Sequence, residues 1–129
     1  MVMEAFKGFE DIFEYEIIGH SGDDYNLSIV GPKNIPKDEK EKLDTMRIMH
    51  LHSQFCASGD NTLESLDHAI KAASKELEDS DEAFVILLSD ANLERYGINP
   101  KELTRILNSN SDVKSFAVFI GSLGDQAQR

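Results

Sequence analysis

The 129-residue chain has a single cysteine, Cys56, so no disulfide can form within it. A lone thiol of this kind fits a reducing, intracellular compartment and a small buried apolar side chain better than a nucleophile. Basic residues are also scarce: 13 Lys and Arg stand against 24 Asp and Glu, a net charge of −11. Such a balance repels phosphate backbones and anionic membrane surfaces, which argues against nucleic-acid and membrane partners. It suits a solvated acidic surface, a cation site or a basic partner. No apolar run approaches the ~18 residues that cross a bilayer. The opening "MVMEAFKGFEDIFEYE" carries acids where a secretory signal needs a basic start and a long apolar stretch, so no such signal is expected. There is no internal repeat and no low-complexity segment. What is present is a 40% apolar composition, enough to support a core, in a length that sets one domain or less.

Apolar spacing gives the elements. Val2, Ala5, Phe6, Phe9, Ile12 and Phe13 recur at helical intervals, so a helix is expected up to Phe13, entered with no N-cap signal. Tyr15 to His20 and Tyr25 to Val30 read as strands joined by a Gly-Asp-Asp turn, a hairpin. A helix follows from Asp38 to Phe55, with Leu43, Met46, Met49 and Leu51 as its apolar members. The next, from Thr62 to about Glu78, places Leu63, Leu66, Ile70, Ala73 and Leu77 on one face. "AFVILL" (Ala83 to Leu88) and "SFAVFI" (Ser115 to Ile120) are continuously apolar, as parallel strands buried on both faces are. Between them, Asn99-Pro100 opens a helix with Pro at its first position, Glu102 placed for a capping box, and Leu103, Ile106 and Leu107 facing inward. Strands alternating with helices predict an α/β doubly wound sheet, with the hairpin adding one antiparallel strand.

The turn "GHSGD", Gly19 to Asp23, comes close to G-x-S-x-G, the nucleophile elbow of α/β-hydrolases. That motif requires a helix after the serine, and here a turn and a strand follow Ser21. His20 adjoins Ser21, but neighbouring strand residues point to opposite faces, so adjacency does not make it a base. A small serine hydrolase using Ser21, with His20 or His50 and an aspartate, is therefore the second reading. Other chemistries lack their residues. His50 and His52 diverge by ~200° around a helix and His68 stands alone, and no Cys/His spacing suits zinc. Neither phosphate-binding glycine motif occurs.

Two loops remain, each at the start or end of an element where ligands of open α/β sheets gather. "SGDNTLES" puts Thr62 at a helix start, and "LSDANL" puts Asp90 directly after a strand. A hydroxyl and a carboxylate are hard oxygen donors of the kind Mg²⁺ takes. Structural readings stand beside this one: Asn61 with Glu64 has the spacing of a capping box, and Asp90 fits a turn or cap.

Taken with the order of elements, "GHSGD", "HSQFC", "SGDNTLE", "LSDANL", "RYGI" and "FIGSLGDQA" resemble a von Willebrand factor A domain over nearly the whole chain. The resemblance implies a Rossmann-like, doubly wound sheet, mostly parallel with one antiparallel hairpin strand. It also implies a metal-ion-dependent adhesion site that binds, without catalysis, a protein partner whose acidic side chain completes the coordination of Mg²⁺. Thr62 and Asp90 match that site's second and third motifs. Ser21, Asp23, Asp60, Asn61, Asn92 and Glu94 would flank it as supporting or partner-contacting residues. By the same resemblance the domain belongs to a larger AAA+ ATPase in a mitochondrial setting, with ATP handled outside this chain.

The family's D-x-S-x-S motif is absent. The expectation is thus a single partial domain spanning 1–129, without the family's first and last strands. Mg²⁺ would then bind weakly. Losing a strand between the one ending at His20 and the one starting at Ala83 would leave its flankers ~10 Å apart. A chain in that state is expected to be poorly stable, to pair the flanking strands directly, or to borrow a strand. A structural fragment with no ligand is the third reading.

Overall fold

The computed structural model describes residues 2–9, 11–31, 34–55, 59, 61–89 and 93–120. The chain divides into two compact units, Met1–Asp60 and Asn61–Arg129.

In the first unit, helix α1 is only Val2–Ala5. The helix expected up to Phe13 ends early because Gly8 takes a left-handed φ of +85°. The apolar residues after it make an aromatic cluster instead: Phe6 lies 5.1 Å from Phe13 and 5.5 Å from Tyr15, centroid to centroid. Strands β1 (Ile17–Gly19) and β2 (Leu27–Val30) pair antiparallel, as the hairpin reading requires, with a register irregularity between Ile17 and Ile18. Ile29 and Val30 are its buried apolar side chains.

Helix α2 (Glu39–Phe55) packs on β2. Asp38 Oδ1 accepts from the Glu41 N–H at 2.8 Å, and Glu41 Oε2 accepts from the Lys37 N–H at 2.7 Å, a reciprocal start close to a capping box. The expected apolar members do not form its buried side. Leu43, Met46 and Leu51 are 44, 51 and 54% exposed, Met49 is half-buried, and the buried residues are Lys42 and Thr45. Both can be buried because both are satisfied. Lys42 Nζ donates to Glu4 and, at 3.1 Å, to Glu39, and Thr45 Oγ1 donates to the Glu41 carbonyl at 3.0 Å. Being three residues apart, they share one side of the helix and turn Leu43 and Met46 away from it.

The second unit runs α3 (Thr62–Glu76), β3 (Ala83–Ser89), a 3₁₀ turn (Glu94–Tyr96), α4 (Pro100–Leu107) and β4 (Val113–Phe119). β3 and β4 are parallel and in continuous register from Ala83–Val113 to Ser89–Phe119. The periodic residues of both helices meet on one face of this pair. Leu66, Ile70, Ala83, Leu87, Ile98, Leu103, Ile106 and Val113 form one core, with Leu63, Ala73, Leu77 and Leu107 packed against it. Each such Leu or Ile contributes about 1.5–3 kcal/mol by leaving water. Asn99 caps α4 by accepting from the Lys101 N–H at 2.9 Å, ahead of Pro100 at the first turn.

Two expectations are corrected here. The strands are not buried on both faces: Phe84, Ile86 and Leu88 are 51, 60 and 55% exposed. Strand alternation sends 83, 85 and 87 to the helices and 84, 86 and 88 to the opposite side, and α3 and α4 cover the same face. Nor do the strands make one doubly wound sheet. Among the described residues there are four strands and four α-helices, and the strands form two separate pairs, one antiparallel and one parallel. Within the first unit β1 pairs with β2, and within the second β3 pairs with β4. The mixed α/β class and the parallel pair agree with a von Willebrand A-like fold, whose sheet arrangement the two pairs match in part.

Candidate binding site

The hairpin turn is fixed by its own polar groups. Ser21 N–H donates to the Asp24 carbonyl at 2.7 Å, and Ser21 Oγ accepts from the Asp23 N–H at 3.3 Å. Asp24 Oδ1 accepts from the Asn26 N–H at 2.9 Å. Ser21 is 6% exposed, and β2 rather than a helix follows it, so its hydroxyl closes a turn and is not presented as a nucleophile is. Asp23 is exposed.

This turn meets the loop that leads to Asp60. Gly22 N–H donates to the Gly59 carbonyl at 3.1 Å, and Gly59 has φ +119°. A Cβ on Gly59 would lie 4.0 Å from the Gly22 Cα, so space is not the constraint there; the left-handed backbone is. Two of the loops singled out in the sequence, "GHSGD" and "SGDN", are thereby joined through their backbones.

Thr62 opens α3 and is 2% exposed. Asn61 occupies the N-cap position with φ −113° and ψ 29°, and its side chain makes no capping hydrogen bond, so the capping-box reading of Asn61 and Glu64 does not hold. At the helix start Ser65 N–H donates to the Asn61 carbonyl at 2.9 Å. Asp60, Asp90 and Asn92 lie outside the described residues. Glu94 begins the 3₁₀ turn, and its side chain also lies outside them.

Among the described residues no group of three or more His, Cys, Asp or Glu side chains could hold a metal ion. The Ser21 hydroxyl and one Asp24 oxygen are already engaged by backbone donors, and Thr62 is buried. These residues therefore do not by themselves make up a Mg²⁺ site. Nor is any helix among them long and apolar enough to cross a membrane. The histidines disperse: on α2, His50 is exposed and His52 half-buried, and on α3 His68 is half-buried. A surface hollow of about 430 Å³ lies elsewhere in the second unit, lined by Asp67, Ile70, Lys71, Ser74 and Asn110 among others.

Sequence reasoning passed over two features. Lys42 was not singled out, although Glu39 three residues before it was a visible partner. Gly19 has a packing role that nothing in the sequence announces: a Cβ there would fall 2.7 Å from His52 Nε2. Glycine lets the α2 imidazole lie against β1.

No protein-family model matches the chain, and no solved structure does. The chain is similar to a protein named for a von Willebrand factor A domain. That relative is von Willebrand factor A domain-containing protein 8 of Mus musculus, 57% identical over 129 residues, which is 100% of this chain and 7% of the relative. The chain thus spans 7% of the length of that relative.

Proposed function

We propose that the chain is a protein-binding module of von Willebrand A type with an incomplete metal-ion-dependent adhesion site. The observation that carries this reading is the 57% identity, over all 129 residues of this chain, to a protein named for that domain. The mixed α/β elements and the parallel β3–β4 pair support it. The meeting of the Ser21–Asp24 turn with Gly59 supports it too, because it gathers the loops that such a module uses for contact. Thr62 and Asp90 are the residues that would hold Mg²⁺, whose role is to take a partner's carboxylate. Without D-x-S-x-S oxygens the ion would keep mostly water and bind weakly. Any ATPase activity belongs to a longer protein of which this segment is a small part, and a mitochondrial address rests on the resemblance.

The test is a Mg²⁺ titration of the full chain followed by amide chemical shifts. The expected response is centred on residues 59–62, has a midpoint above about 1 mM, and is lost in Asp90→Ala. Saturation well below millimolar would contradict an incomplete site. Labelling by a serine-reactive probe, lost in Ser21→Ala, would instead establish the hydrolase reading.

A further inference from the structure

We draw no further inference here: the strongest candidate, the apolar face of the β3–β4 pair that carries Phe84, Ile86, Leu88, Phe116 and Val118, carries nothing because nothing in the structure shows what covers it.

Discussion

The two units of this chain solve the same problem with different chemistry. The second unit gathers eight buried apolar residues from two helices and two strands into one core. Among its described residues the first has Ile29 and Val30 as buried apolar side chains, with Ser21, Lys42 and Thr45 also in the buried class. There the polar groups are tied individually: Ser21 by its turn, Lys42 by two carboxylates, Thr45 by its own helix. Apolar burial is additive and tolerant of position, whereas satisfied polar groups are specific and contribute about 1 kcal/mol each. The difference teaches that a fold can look uniformly α/β in outline while its parts rest on unequal foundations.

The largest test of that contrast is a pair of truncations. Ile70→Ala, at a residue 2% exposed in the second core, should cost about 3 kcal/mol in urea unfolding. Val30→Ala, fully buried in the first unit, removes less volume and should cost about 2 kcal/mol, with its effect on exchange centred on residues 17–30. Next come the helix starts. Asn99→Ala should cost about 1 kcal/mol by removing the bond to Lys101, while Asn61→Ala, with no capping bond to lose, should cost a few tenths at most. Leu43→Ser is a sharper probe of α2. Because Leu43 is exposed, the change should stay within about 0.5 kcal/mol, and a cost of several would mean that α2 buries its apolar side after all.

The smallest effect is that of pH. A hydrogen bond from Lys42, then its charge, holds the Glu4 carboxyl below its ordinary 4.5. A lowered carboxyl adds stability that is present above pH 4.5 and is lost as pH falls through the lowered value. Lys42 is held above its ordinary 10.5 by its hydrogen bonds to Glu4 and then Glu39, so its share is present below pH 10.5 and is lost as pH rises through the raised value. Glu4→Gln should flatten the acid limb in an amide-exchange series over α1 and α2 while leaving the second unit's pH profile unchanged.

Much of the second unit was legible in the sequence. Leu66 and Ile70 sit where the i, i+4 spacing puts them, and Asn99-Pro100 starts a helix as its chemistry requires. The runs "AFVILL" and "SFAVFI" gave the parallel pair but hid its bare face, because a continuous apolar run states what a strand could bury, not how many layers cover it. In α2 the periodicity of Leu43, Met46 and Leu51 was real, yet the side that packs was chosen by Lys42 and Thr45, whose partners lie in other turns and another helix. Gly8 was a visible breaker inside the expected first helix, and its left-handed φ is the signal that should have ended it. At the candidate site, Thr62 at a helix start was readable and its burial was not, and the residues 60, 90 and 92 fall outside the described chain.

Native-state hydrogen exchange on the full chain tests the central contrast most directly, since it reads the opening free energy amide by amide. The account predicts that amides of α3, β3 and β4 open at least about tenfold less often than those of β1 and β2, a gap of about 1.4 kcal/mol or more. Equal protection across residues 17–30 and 83–119, or greater protection in the hairpin, would contradict it.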